Sequence, residues 1–225
     1  MKHRSIAIDG PSGAGKTTIA KMLADELGFI LVDTGAMYRA VGLFVCRAGA
    51  DPSDESAVTG LLEQIDLRVE YDQDRAQHVF LNGEDVSREI RLPEISMYAS
   101  AVSALRPVRT FLLSPQRTMA ANYDVIMDGR DIGTVILPDA DVKVFLTASA
   151  EVRARRRFEQ LKESGQDPVW EDVLNDLIKR DEADSTRDLA PLKPAEDSIT
   201  VDTSYLDLDQ SKEAVMAVVR QKLEQ

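Results

Sequence analysis

The chain has one cysteine, two histidines and one tryptophan in 225 residues. A single thiol rules out an intramolecular disulfide. Cys46 lies in the apolar run VGLFVC, where a buried, unreactive thiol is expected, which fits a reducing cytoplasm. His3 and His78 stand outside every motif and are assigned no chemistry, and Trp170 reads as a packing residue. Long apolar runs are also missing. The N-terminal MKHRSIAIDG carries only a short apolar stretch before an acid, and no later segment approaches the length of a membrane span, so neither secretion nor membrane insertion is indicated. Positive charge is the third deficit. With 27 basic against 39 acidic residues the formal net charge is −12, which repels nucleic acid and anionic lipid. An anionic substrate would have to be held by a local basic cluster. No internal repeat, low-complexity tract or flexible linker is present, and 44% hydrophobic content suffices for one sizeable core, with a monomer as the expectation.

What is present reads as α/β. Ser5 to Asp9 (SIAID) has the pattern of a short buried strand, and Thr17 to Leu27 places Ile19, Leu23 and Leu27 on one helical face, with Gly28 as a stop. Phe29 to Val32, Val125 to Met127, Val142 to Leu146 and Ser198 to Val201 are further core strands. Strands separated by helical stretches imply a mostly parallel, doubly wound sheet. Two stretches exceed a simple crossover. Between the second and third strands, Leu67, Val69 and Tyr71 alternate, then come the turn-like DQDR, another β-like run and Asn82-Gly83, a pattern that predicts a small antiparallel insert packed with helices. After Thr147, a helix from Glu151 to Ser164 stops at Gly165 and a second begins at Asp167-Pro168, a pair suited to a mobile lid. Leu208 to Leu223 closes the chain as an amphipathic helix.

The strongest chemical signal is GPSGAGKT, residues Gly10, Pro11, Ser12, Gly13, Ala14, Gly15, Lys16 and Thr17, with Thr18 following. It matches G-x-x-x-x-G-K-[ST] and lies between an expected strand and an expected helix. The glycines let backbone N–H groups converge on phosphate oxygens and the helix N-terminus adds the positive end of its dipole. Lys16 reaches the terminal phosphates and the Thr17 hydroxyl can ligate Mg²⁺. This is a P-loop, an ATP site, and it leaves the acceptor open. No Asn precedes a Lys, so the guanine-reading N-K-x-D motif is absent and a switch GTPase is disfavoured.

DTGAMYR (Asp33 to Arg39) follows the second strand and DGRDIG (Asp128 to Gly133) the third, at the strand edge where open α/β sheets bind ligands. In RDEADSTRD, Arg180, Asp184 and Arg187 or Asp188 fall at i, i+4 and i+7 or i+8, sharing one helical face, either as a binding face or as a solvated salt-bridged surface. Arg153, Arg156 and Arg157 share a face of the first lid helix in the same two-sided way. A P-loop kinase for a small-molecule hydroxyl and a non-catalytic nucleotide-sensing module remain open at this level.

GPSGAGKT, DTGAMYR, DGRDIGTVILPDA and RD-x-x-D-x-x-R-x-x-x-PLKPAED, in this order and spacing, resemble the bacterial cytidylate kinases over nearly the whole chain. The resemblance implies a P-loop NTPase-type core with an α+β monophosphate-binding insert and a helical lid. On this division residues 1–38, 107–150 and 190–225 form the core, 39–106 the insert and 151–189 the lid. It also implies ATP as phosphate donor with Mg²⁺, CMP and dCMP as acceptors, and a CMP site of Thr34, Arg39, Ser100, Arg109, Arg130, Asp131, Arg180, Asp184 and Arg187. In that scheme Arg39, Arg130 and Arg187 hold the CMP phosphate, while Arg180 and Asp184 address the ribose. Asp131 accepts from the cytosine amino group with Ser100 and Arg109 beside it, and Lys16, Arg153 and Arg157 hold the ATP phosphates. Within Ser103 to Arg117, Pro107 falls one place later than the family commonly has its proline, and Pro115 is expected to add a second interruption.

Overall fold

The structure is a computed structural model that describes residues 3–224. The chain runs β1 (Ser5–Asp9), α1 (Lys16–Leu27), β2 (Ile30–Asp33), α2 (Thr34–Arg47), α3 (Glu55–Leu62), β3 (Leu67–Tyr71), β4 (Gln77–Leu81) and β5 (Glu84–Asp85). It continues through α4 (Pro93–Ser103), α5 (Arg106–Asn122), β6 (Val125–Gly129), β7 (Val142–Thr147), α6 (Ala150–Glu163), α7 (Trp170–Thr186), β8 (Ile199–Asp202) and α8 (Leu208–Leu223). Five strands form one parallel sheet in the order β2-β6-β1-β7-β8. The sheet's central strands need apolar side chains on both faces, because helices cover both. β1 and β6 supply them, with Ile6, Ile8, Ile126 and Met127 fully buried. One core cluster joins α1 and α8 to β1 and β7, through Ile19, Leu23, Val215 and Val219.

The smaller sheet, β3-β4-β5, is antiparallel. Asn82 and Gly83, with φ of 51° and 86°, make the tight turn into β5, the backbone that this dipeptide favours. Its apolar face, Val79 and Leu81, packs in a separate cluster with α2, α3, α4 and the first half of α5. The second half of α5 packs elsewhere, with Leu113 and Met119 against Val32, Val125 and Met127 of the main sheet. One helix therefore ties the two cores together.

Three local expectations are corrected. Pro115 does not interrupt its segment, because α5 runs through it from Arg106 to Asn122. Proline in a helix interior costs about 3 kcal/mol, and the packing of Val108 and Leu112 before Pro115 and of Met119 after it holds the helix together. Pro107 sits in the first turn, where proline is tolerated. The second lid helix begins at Trp170 and not at Asp167-Pro168, and Trp170 stacks edge-on against Phe158 of α6 with ring centroids 5.8 Å apart. Cys46 is only half-buried, on the rim of the α2 cluster. Among the described residues no helix is long and apolar enough to cross a membrane.

Gly42 of α2 packs tightly on α4, where a Cβ would lie 2.8 Å from the Ala99 amide nitrogen. Gly42→Ala must therefore push two backbones apart, and we expect a loss of about 1–3 kcal/mol in chemical denaturation. Gly60→Ala on α3, where a Cβ meets nothing within 4 Å, should be neutral or stabilising.

Candidate functional site

Three parallel strands of the main sheet carry an aspartate at or next to their C-terminal end: Asp9 ends β1, Asp33 ends β2, and Asp128 is the last residue but one of β6. All three carboxylates are buried at the C-terminal edge of the sheet, and the loops that follow them build the site. Beyond β1 the chain passes Gly10, whose missing Cβ would lie 1.9 Å from the Leu146 carbonyl oxygen, so no other residue can pass here. Gly15, at φ 90°, turns the loop into α1. Lys16 is buried and folds back over the loop, donating from Nζ to the Pro11 carbonyl at 2.8 Å. Burial, with Arg130 beside it, pushes its ammonium down to about 7. Thr17 donates from Oγ1 to Asp128 Oδ2 at 2.5 Å. Asp128 itself is raised by burial and by the neighbouring Asp33.

Asp9 holds the loop after β6. Its two oxygens accept from the Ile132 and Gly133 amides, each at 2.7 Å, and burial pushes its carboxyl up to about 6. That fixes Arg130 and Asp131 at the mouth of the sheet. Asp131 is gripped by the Arg109 guanidinium, with Arg187 Nη2 at 3.8 Å. Arg109 also lies over the Tyr38 ring, 5.7 Å from its centroid. Arg130 donates from Nε to Asp184 at 3.1 Å, and Arg187 stands 3.7 Å from the other oxygen of Asp184. Asp33 caps α2 by accepting from the Ala36 amide and pairs with Arg39 at 2.9 Å. Thr34 donates its hydroxyl to the Asp128 carbonyl at 2.7 Å. Ser100, on α4, faces the same space.

These groups line one cavity of about 860 Å³. Eight arginines, Arg39, Arg91, Arg109, Arg130, Arg156, Arg157, Arg180 and Arg187, join Lys16 on its wall, against the five aspartates Asp33, Asp128, Asp131, Asp184 and Asp207. A protein of net charge −12 thus concentrates cations in one place. Arg39 Nε, Arg180 Nε and Arg187 Nη2 are buried with no hydrogen-bond partner among the described residues, which leaves donors for an anion. Burial, followed by Arg130, lowers Arg180 to about 10. Ser12, Gly13, Ala14, Gly15, Lys16, Thr17 and Thr18 line one end of the cavity, while Gly10 and Pro11 shape the loop behind it.

Arg153 does not join this wall. It is buried, donating to the Ala148 and Ser12 carbonyls at 2.7 and 3.0 Å and to both oxygens of Asp181, one at 2.6 Å. It ties α6 to the P-loop and to α7, whereas Arg156, Arg157 and Gln160 of the same helix reach the cavity. Nor is Arg187 brought in by helical periodicity. α7 ends at Thr186, Arg187 is extended, and the Asp184 carbonyl accepts from the Leu192 amide as the chain turns away. The residues that sequence reasoning passed over are Asp9, Asp33 and Asp128 as site groups, with Tyr38, Arg91 and the Leu206–Leu208 segment. For the aspartates a signal was available: SIAID, ILVD and VIMD each carry an acid at or next to the end of a buried parallel strand.

The family model described as cytidylate kinase matches residues 6–221. A cytidylate kinase from Caldicellulosiruptor bescii is 50% identical over 216 residues, 96% of this chain and 95% of that protein. One from Thermosipho melanesiensis is 48% identical over 96% of this chain and 97% of its own length. The crystal structure of an uncharacterized protein from Eubacterium ventriosum, 14% identical, aligns with a TM-score of 0.55 over 97% of this chain and 99% of that one, a likeness of fold alone.

Two outcomes are expected from the site's geometry. Arg153→Ala should lower stability by roughly 2–3 kcal/mol in denaturant titration and weaken ATP binding, since it leaves Asp181 and two carbonyls without their donor. For Lys16, the free protein loses the ammonium charge as pH rises through about 7, while a bound polyphosphate favours the charged form. ATP binding should therefore take up a proton above that pH and weaken as pH rises, by up to about tenfold per unit. Calorimetry across pH 6–9 would show this dependence in the wild type in excess of that in Lys16→Met.

Proposed function

The chain belongs to the cytidylate kinase family, and we propose from that premise that it transfers the γ-phosphate of ATP to CMP and dCMP, giving ADP and CDP or dCDP. The observation that carries this reading is that one cavity brings the P-loop together with the Arg39, Arg130 and Arg187 cluster and with Asp131 and Asp184. Two anionic substrates can meet there end to end.

The acceptor phosphate carries about −1.5 to −2 charge near neutral pH and is a nucleophile without a general base. What the protein has to supply is position and positive charge. Lys16 and the P-loop amides hold the donor phosphates, joined from the lid by Arg157 and Arg156. Arg39, Arg130 and Arg187 hold the acceptor phosphate, and Arg180 with Asp184 faces its ribose. Asp131, fixed by Arg109, accepts from the cytosine amino group, with Ser100 nearby. Uracil presents an acceptor at that position and is disfavoured. Thr17 Oγ1 and Asp128 offer two hard oxygen donors side by side and would hold Mg²⁺. Mg²⁺ there would neutralise phosphate charge. Movement of the insert, residues 39–106, and the lid, residues 151–189, toward each other would exclude water as a competing acceptor. We read the protein as a cytoplasmic monomer.

A coupled assay of ATP against a panel of nucleoside monophosphates tests the reading, with turnover expected on CMP and dCMP well above UMP, AMP and GMP. Asp131→Asn, whose amide can donate as well as accept, should cut the CMP-to-UMP ratio of kcat/KM at least tenfold, about 1.4 kcal/mol. If both rates fall together and the ratio holds, Asp131 does not read the base.

A further inference from the structure

β2 is an edge strand of the main sheet, and an edge strand leaves a row of backbone groups unpaired. The Ile30 amide donates to the Asp124 carbonyl beside β6, so Ile30 and Val32 turn their backbone groups inward, and Leu31 and Asp33 turn theirs outward. Among the described residues no sixth strand covers them. Two side chains of the small sheet do so instead. Tyr71 of β3 donates its hydroxyl to the Leu31 carbonyl at 3.0 Å. Gln77 of β4 brackets Asp33, its Oε1 accepting from the Asp33 amide at 2.8 Å and its Nε2 donating to the Asp33 carbonyl at 3.2 Å. Tyr71 and Gln77 face each other across the same rung of the β3–β4 ladder. A single rung of the insert thus caps the Leu31 carbonyl and both backbone groups of Asp33 on the core edge.

Asp33 is the residue through which this contact reaches the cavity. Its carboxylate caps α2 at the Ala36 amide and holds Arg39 at 2.9 Å. A rotation of the Asp33 backbone would carry both with it. We propose that Gln77 is a positioning residue for the acceptor phosphate: by fixing the Asp33 backbone it fixes the carboxylate that aims Arg39. Gln77 does not line the cavity, so it acts only through Asp33. The inference rests on Arg39 as a ligand of the acceptor phosphate.

The test is steady-state kinetics on Gln77→Ala, Arg39→Ala and the double variant, with thermal melting in parallel. Wild-type turnover on CMP checks the underlying function separately from the ratios between variants. Gln77→Ala should raise KM for CMP about tenfold, with KM for ATP and kcat within about twofold of wild type. In the Arg39→Ala background the same change should move KM for CMP less than twofold, because the residue it aims is gone. Gln77→Met, which fills the space without the two hydrogen bonds, should repeat the split and serves if the alanine variant does not fold. An equal rise in KM for CMP in both backgrounds, a parallel rise in KM for ATP with a lowered melting temperature, or no change at all would each overturn the proposal.

Discussion

The structure depends on one electrostatic constraint: a cavity dense enough in guanidinium groups to hold two phosphate esters must also be stable when no phosphate is in it. The protein meets this by giving five of the eight cavity arginines a carboxylate within 4 Å, with Arg91 sharing Asp33 with Arg39. Arg39 has Asp33, Arg109 has Asp131, and Arg130 and Arg187 share Asp184. Each pair keeps a buried charge from standing alone, which would cost several kcal/mol. The pairing is incomplete, with buried donors of Arg39, Arg180 and Arg187 left over. Those are the groups that an anion would satisfy.

In the proposed complex the same carboxylates carry the specificity. Asp131 and Asp184 are partners of arginines in the free protein and face the base and ribose in the proposed complex, so substrate binding competes with, or completes, an existing network. That network is held from behind. Asp9 fixes the Arg130–Asp131 loop through two amides, and Arg153 fixes the P-loop against α6 and α7. Neither residue lines the cavity, and both set where the residues that do line it can stand. Placing the site at strand ends makes this possible, because a buried parallel strand is among the stiffest parts of an α/β fold.

Much of the site was legible in sequence because its parts are local. GPSGAGKT needs only a strand before it and a helix after it, and both could be read from periodicity. The insert's hairpin was legible for the same reason, since alternation and Asn82-Gly83 are short-range signals. The face shared by Arg153, Arg156 and Arg157 was visible, but which of the three would be buried was not. Helical periodicity states which residues lie together and says nothing of what packs against them. Arg153 turned out to face Ser12 and Asp181, the latter on the next helix. Likewise the i+7 spacing brought Arg187 to the right neighbourhood through a helix that stops before it.

The sequence by itself determined the chain order of the five core strands, the P-loop with the helix after it, the hairpin ahead of Asn82-Gly83 and the closing helix, because each follows from backbone preference and apolar spacing within a few residues. Only the tertiary structure decided that Asp9, Asp33 and Asp128 lie side by side, that α5 crosses from one core to the other despite Pro115, and that Gln77 reaches the edge of β2. Those facts depend on the lateral order of strands, β2-β6-β1-β7-β8. That order brings residues more than ninety positions apart into register, and it is set by how all the apolar faces can be covered at once, which no local segment encodes.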